Sequence, residues 1–287
     1  MTKNLLRSAA VISLIVGECL CATGCNGSGS GAADVIKSET LLQKMLRTHT
    51  IRVGYGGYPP FLIRDARSGE MSGFSVALIK EILQPLDVKI EWVETSWATM
   101  RDDLLLGKFD LMVEPIIMTI PRSARVGFSR PYTYFGYASV VVKKQEARFR
   151  TIQDLNSPAI RVSVNQGVTD HEFALKNLPK CNLQVISGND ITQVMSQVTM
   201  GKADAALVDV PSARRFLQAH PNDVTVLFSD PPPAITPAGF MTRQREYDLI
   251  NFLSNALLAL DADGTLTALE DKYDLPTYRR RPSQAER

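Results

Sequence analysis

The chain has 287 residues, 45% hydrophobic and 22% charged, which is enough apolar material for one large domain or two modest ones. Its 32 basic and 30 acidic residues nearly balance, so composition gives no reason to expect a nucleic acid or an anionic surface as partner. The three histidines, His49, His171 and His220, have no spacing suited to a metal, no nucleophile–base motif or phosphate-binding glycine loop is evident, and neither a metal nor a cofactor is expected.

The N-terminus carries an address. Lys3 and Arg7 accompany the run Ala9 to Val16, which is apolar but too short to span a bilayer. A basic start followed by a short apolar run reads as a secretory signal, expected over residues 1–24. Ala22-Thr23-Gly24-Cys25 resembles a bacterial lipobox, with Ala22 where leucine is usual and Glu18 out of place so near the cleavage point. Lipidation at Cys25 and ordinary cleavage before Asp34 are therefore both open. Residues 25–37 are rich in glycine and serine, as a flexible tether would be. Cys19, Cys21 and Cys25 all fall in or just after the signal and leave Cys181 alone, so no disulfide framework is expected. No later stretch is long and apolar enough for a transmembrane helix. The expected location is the periplasm or the extracytoplasmic face, with the membrane touched only through a lipid anchor.

Short apolar strands then alternate with amphipathic helices. A strand is expected over 51–54, and Val76, Ile79 and Leu83 line one face of a helix. A strand over 89–93 leads to Trp97, at the start of an amphipathic helix ending in Gly107-Lys108. Asp110 precedes a short strand over 111–113, followed by a turn holding Thr119 and Arg122 and by Phe128-Ser129-Arg130-Pro131-Tyr132. A second set opens at Thr151-Ile152-Gln153-Asp154, which resembles a capping box with Asp for the usual Glu. It continues with a strand over 160–164, a helix over 169–178, and a helix face made by Ile191, Val194, Met195 and Val198. A buried strand over 205–208 follows, then a helix with Pro211 at its favoured first turn. The alternation predicts α/β layers with a largely parallel sheet. Segments 132–136 and 231–237 read as connections, and the prolines of the second bar it from a central strand or a helix interior. Leu249, Phe252, Leu253, Ala256, Leu257 and Leu260 form one helical stripe. The tail from Arg279 reads as a solvated end, and no internal repeat is visible.

The order Trp97, helix, Gly107-Lys108-Phe109-Asp110, strand, Thr119-Ile120-Pro121-Arg122, Phe128-Ser129-Arg130-Pro131-Tyr132 resembles the polar-amino-acid family of periplasmic solute-binding proteins. Ile51 to Tyr55 with Tyr58-Pro59-Pro60-Phe61, Ser72 to Val76, Gly201 to Asp209, and Asp263-Gly264-Thr265 with Lys272-Tyr273 are similar to further segments of that family. The resemblance implies a two-lobed type II binding fold, each lobe a mixed, mostly parallel sheet flanked by helices. It places lobe one at 38–131 and 238–280, lobe two at 137–230, and hinge crossings at 132–136 and 231–237. It also implies a monomer that captures a small ligand bearing a carboxylate and an amine for an ABC permease.

The same resemblance assigns candidate site residues. Arg122 would clamp the ligand's carboxylate with a bidentate fork that lysine cannot reproduce; otherwise it is a surface arginine beside Arg125 and Arg130. Asp209 would hold the ammonium at a strand's C-terminal edge, where open α/β sheets bind ligands, or cap the helix opening at Pro211. Tyr58 and Trp97 would sandwich the ligand, or be ordinary core. Asn165 to Thr169 would present backbone amides at a helix start, where Thr169 can equally serve as a cap. Thr119 belongs to the turn that carries Arg122. Four positions depart from the family: Glu114-Pro115 stand where a small residue and Gly are usual, Ile117 stands where Thr is usual and offers only its backbone, and Asn165 sits where many members carry a charged residue. A buried Glu114 without a partner would be costly, so a cation from the ligand or an arginine is expected beside it. A cationic or unusual amine then fits better than an acidic amino acid.

A catalytic alternative remains. Residues Gln145 to Phe149, Phe173-Ala174 and Thr95-Ser96-Trp97 are similar to the cyclohexadienyl dehydratases, which share this fold and act on prephenate or arogenate. That chemistry needs a general acid for the departing hydroxyl. In those enzymes a glutamate two residues before the Phe-Ala pair supplies it; here that position is His171, and Glu172 lies one residue later, about 100° round the helix. The expectation is a binder lacking the chemistry, with His171 and Glu172 as the candidate groups otherwise. A lytic transglycosylase would need a further catalytic domain, and a sensor a transmembrane helix and signalling domain.

Overall fold

The computed structural model describes residues 39–275. The signal, Cys25, the tether and the tail from Arg279 lie outside the described residues. In chain order the first elements are α1 (Leu41–Thr48), β1 (Thr50–Tyr55), β2 (Ile63–Arg64), β3 (Met71–Ser72), α2 (Phe74–Leu83), β4 (Lys89–Glu94), α3 (Met100–Leu105), β5 (Leu111–Ile117), α4 (Ile120–Ser123), β6 (Val126–Phe128) and β7 (Thr133–Tyr137). There follow β8 (Ser139–Lys143), β9 (Arg161–Asn165), α5 (Thr169–Asn177), β10 (Asn182–Ile186), α6 (Thr192–Thr199), β11 (Ala205–Val208), α7 (Val210–Ala219), β12 (Val224–Leu227), β13 (Ala234–Arg243), α8 (Tyr247–Ala262) and α9 (Thr265–Lys272).

These elements build two large sheets, and hence two lobes, beside the small two-stranded sheet of β2 and β3. The first sheet runs β4-β1-β5-β13-β6, with β7 also paired to β13; the second runs β10-β9-β11-β8-β12. In each, the pairs formed across helical crossovers are parallel, while β13 in the first sheet and β8 in the second run antiparallel to their neighbours. The chain passes from the first sheet to the second between β7 and β8, and returns between β12 and β13. Ala138 (φ 62°) and Phe228 (φ 56°) occupy the left-handed region at these passages, a conformation that side-chain-bearing residues adopt at a cost.

Each lobe has its own apolar core. Leu249, Leu253 and Leu257 of α8 are buried against the first, with Phe252, Ala256 and Leu260 packed alongside, so the stripe returns the chain to the first lobe. Burying each such leucine contributes about 2 kcal/mol. The second lobe has one core on each face of its sheet, one including Val162, Val164 and Leu207, the other Val194, Met195, Val198 and Phe216. The capping box expected at Thr151 forms, with Thr151 and Asp154 bonded reciprocally.

Two expectations about proline need correction. The strand expected over 111–113 extends to Ile117 through Pro115, and β13 includes Pro237, within the segment expected to be excluded from strands. Both sit where the ladder leaves room for a missing N–H. The pairing of β1 with β5 ends at Met112, and the register of β5 on β13 shifts between Gly239 and Met241, where Val113 to Pro115 of β5 oppose Phe240 alone. Pro237 pairs with Tyr134 of β7, its carbonyl accepts from the amide of Met118, and β5 joins β13 only from Ala238. A strand that is two-sided only from Ala238 tolerates a proline just before that point.

A local repeat, invisible in the sequence alone, also emerges. Arg52 donates to both Asp110 oxygens (2.9 and 2.8 Å) and to the Gly107 carbonyl (2.8 Å). Arg161 donates to both Asp204 oxygens (3.0 and 3.1 Å) and to the Gly201 carbonyl (3.0 Å). Each lobe thus fastens its Gly-Lys-x-Asp loop with an arginine from the neighbouring parallel strand. Burial pushes the Asp110 carboxyl up, but hydrogen bonds from Arg52 and Arg243 outweigh it and hold it below the usual range. The Arg161 hydrogen bonds hold Asp204 at about 2.

Candidate functional site

One cavity opens between the lobes at the C-terminal ends of their parallel strands. The first lobe contributes Tyr58, Trp97, Pro115, Ile117 and Arg122 to its wall, and the second Val168, Thr169, Asp170, Ile191 and Asp209. Of the residues singled out from the sequence, Tyr58, Trp97, Ile117, Arg122, Thr169 and Asp209 therefore meet in one place.

Arg122 is aimed by a short helix. Thr119 caps α4, its hydroxyl accepting from the Arg122 amide (3.3 Å), which commits Thr119 to the cap and leaves it outside the cavity wall. The guanidinium, with its side chain only 11% exposed, donates to the Ile117 carbonyl (3.3 Å) in its own lobe. Across the cleft it donates to the Gly167 carbonyl (3.1 Å) and the Glu172 carboxylate (3.0 Å). Ile117 thus acts through its carbonyl, as its side-chain chemistry requires. A second crossing lies elsewhere along the cleft, where the Gly57 amide donates to the Asn189 carbonyl at 3.1 Å.

Asp209 ends β11 and caps α7: Oδ1 accepts from the Ser212 amide (2.9 Å) and Oδ2 from the Ser212 hydroxyl (2.8 Å). Capping and facing the cavity coexist in this residue, which is 3% exposed. Tyr58 stands beside it; burial, then the Asp209 charge, push the phenol well above its usual value. Trp97 meets Tyr58 edge-on with ring centroids 5.2 Å apart. Both rings are buried, and both face the cavity. The Trp97 indole N–H and the Thr169 hydroxyl are buried without hydrogen-bond partners among the described residues. Thr169 does not cap its helix, whose capping position is Val168.

Sequence reasoning missed Asp170. It is the second residue of α5 and 3% exposed, its Oδ1 accepts from the Ala138 amide (2.8 Å), and it lines the cavity. Burial, then the neighbouring Asp209 charge, push its carboxyl up to about 7. An aspartate in a helix's first turn is so ordinary that nothing in the sequence marked this one.

Two further expectations change. Glu114 is fully buried beneath the wall rather than in it. Its Oε1 accepts from the Gly56 amide (2.9 Å), Oε2 has no partner among the described residues, and the expected cation is not beside it. Burial instead pushes its carboxyl up to about 8, so it sits neutral in the core. Asn165 ends β9, buried, with neither amide atom partnered among the described residues, and it does not line the cavity. His171 and Glu172 lie outside this cavity, bordering an adjoining depression that shares Trp97 and Arg122 with it. Among the described residues no cluster of three or more His, Cys, Asp or Glu is arranged for a metal, and no helix is long and apolar enough to cross a membrane.

A two-lobed molecule with its cavity at the switch between two mixed sheets matches the model of the bacterial extracellular solute-binding proteins, family 3, over residues 51–276. The chain belongs to that family. A cyclohexadienyl dehydratase of Pseudomonas aeruginosa is 30% identical over 191 residues, covering 66% of this chain and 70% of the enzyme. An L-cystine-binding protein of Escherichia coli K12 is 28% identical over 236 residues, covering 82% and 86%. Among solved structures, an ancestral amino acid-binding protein described as a precursor of cyclohexadienyl dehydratase matches with a TM-score of 0.74 and 31% identity, over 82% of this chain and 99% of that one. The fold of this family-3 chain is accordingly the type II periplasmic binding fold, and its family is extracytoplasmic.

Proposed function

We propose that this chain captures a small amino-acid-like ligand between its lobes outside the cytoplasm and presents the closed form to an ABC permease. The observation that carries the reading is that Arg122 and Asp209, of opposite charge and from opposite lobes, line one buried cavity. Arg122 takes the ligand's carboxylate and Asp209 its ammonium, while Tyr58 and Trp97 close over its apolar body. Each hydrogen bond to a charged group contributes about 1.5–3 kcal/mol, so the pair supplies a large part of a micromolar affinity of about −8 kcal/mol. The lobes hinge at the crossings over 132–136 and 231–237, bounded by the left-handed residues Ala138 and Phe228. A ligand drives closure only by binding the closed form better than the open one, which contacts to both lobes achieve. The protein works as a monomer, tethered through Cys25 if that residue is lipidated and free if cleavage falls later.

A dehydratase would need a proton donor at the leaving hydroxyl. His171 and Glu172, where the resemblance would place it, stand outside the cavity, with Glu172 turned to Arg122. Binding without turnover is the better reading. Calorimetry of the mature protein against the common amino acids and small amines tests it, with prephenate included as a substrate probe. Micromolar binding of at least one amino acid, lost about 100-fold or more in Arg122→Ala, is expected from the removal of two such bonds. Unchanged affinity in that variant, or phenylpyruvate formation from prephenate, overturns it.

A further inference from the structure

We propose that Asp170 is a second cation-binding carboxylate of the cleft, so that the ligand is an amino acid carrying a positive group besides its α-ammonium. This rests on the roles given above to Arg122 and Asp209. The charges on the wall do not balance for a simple zwitterion. The cavity holds one guanidinium and two carboxylates, and the guanidinium already faces Glu172. A zwitterion places its carboxylate on Arg122 and its ammonium on Asp209, and Asp170 is left unmatched. Among the described residues no lysine, arginine or histidine pairs with either aspartate. A buried carboxylate without a counter-charge is costly unless it is protonated or meets a cation.

Two independent features show that the wall is built for a polar guest. The Thr169 hydroxyl, next to Asp170, and the Trp97 indole N–H are both buried, both in residues lining the cavity, and both without partners among the described residues. The Tyr58 and Trp97 rings add faces that favour a desolvated cation by about 0.5–2 kcal/mol. Asp170 itself is held in place, because its Oδ1 takes the amide of Ala138 at the passage between the lobes. The groups around it are Asp209, Tyr58, Tyr137 and Arg122, of which only the guanidinium is positive. With its carboxyl pushed up to about 7, Asp170 gains its proton between pH 8 and pH 5.5, so its pairing with a second ammonium is strong at the first and weak at the second.

The test uses matched pairs that differ in one amine, L-ornithine against L-norvaline and L-lysine against L-norleucine, titrated calorimetrically at pH 8 into the wild type and Asp170→Asn. Asparagine keeps an oxygen for the Ala138 amide. Each diamino acid is expected to bind the wild type about 30-fold or more tightly than its neutral partner, a ratio that falls about tenfold in Asp170→Asn. Neutral partners binding the wild type as tightly as the diamino acids, or an unchanged ratio in the variant, overturns the inference and leaves the roles of Arg122 and Asp209 standing. If none of the four binds, the inference is overturned as well. Failure of Arg122→Ala to weaken any binding ligand instead removes the underlying reading. Should Asp170→Asn not fold, the wild type decides alone: the ratio falls about tenfold from pH 8 to pH 5.5 as Asp170 takes its proton, and a flat ratio overturns the proposal.

Discussion

Arg122 reaches across the cleft to the carbonyl of Gly167 at 3.1 Å, and Gly167 in turn sits so close to the Trp97 backbone that a Cβ there would lie 2.6 Å from the Trp97 oxygen. The first lobe's guanidinium and the second lobe's ligand loop thus meet through a residue with no side chain. Gly167 also has φ +82°, which residues with a Cβ rarely adopt.

Gly167→Ala is therefore expected to weaken ligand binding about 10- to 100-fold by holding the lobes apart, at a cost of only about 1 kcal/mol to the unliganded fold. Calorimetry gives the affinity, and thermal melting without ligand gives the stability. Equal loss of stability and affinity would show that the loop itself, rather than closure, had been damaged.

Glu172 offers Arg122 the same chemical group that a ligand's carboxylate would. Removing its charge in Glu172→Gln frees the guanidinium for the ligand. Because the Glu172 side chain is 52% exposed, water screens the pair and the effect is small. The expected outcome is a two- to fivefold gain in affinity for an amino acid, about 0.5–1 kcal/mol, that shrinks in high salt. Weaker binding in Glu172→Gln would mean that the ion pair serves closure rather than competing with the ligand.

The fold and the two opposed charges were legible because they rest on strong local patterns. Helix and strand periodicities, the Gly-Lys-x-Asp loops and the Thr-x-x-Arg turn each tie a side chain to a definite place on a strand–helix junction. What could not be read depended on tertiary pairing. Pro115 and Pro237 lie in strands because the pairing stops or shifts register beside them. The Arg52 and Arg161 clips look like ordinary strand arginines until their loops come back to meet them. Asp170 looks like a helix-start acid and becomes a cavity group only when Asp209 arrives from a strand–helix junction 39 residues on. Glu114 was expected to find a cation; the register of β5 turned it instead into the core.

The paired clips make a direct comparison possible. Arg52→Met leaves Asp110 with the Arg243 guanidinium still donating at 3.1 Å, whereas Arg161→Met leaves Asp204 the backbone amide of residue 161 (2.9 Å) and, as its cationic partner, the more distant Arg148 at 3.5 Å. Asp110 is the more deeply buried of the two. A buried charge that keeps one partner is spared the larger penalty of isolation, so both variants are expected to destabilise by about 1–3 kcal/mol in chemical denaturation at neutral pH. The held-down Asp204 carboxyl adds stability that is present above the unfolded value of 3.8 and lost as pH falls through about 2. Arg161→Met should therefore lose most of its deficit relative to the wild type in acid. A deficit independent of pH would assign the clip's value to packing of the arginine stem.

Glu114 gives the opposite pH dependence. Its folded-state value of about 8 lies above the unfolded 4.5, so the folded form holds the proton more tightly. The stability linked to that proton is complete below pH 4.5 and is lost as pH rises toward 8, an effect on the order of 4 kcal/mol for a fully buried group. Glu114→Gln keeps an oxygen for the Gly56 amide and cannot ionise. It is expected to match the wild type near pH 5 and to exceed it by about 2–4 kcal/mol at pH 8.5, or roughly 5–10 °C in Tm. Melting curves of both proteins across pH 5 to 8.5 decide the matter. A wild type whose Tm follows that of Glu114→Gln at every pH would place a cation, or water, beside the carboxylate.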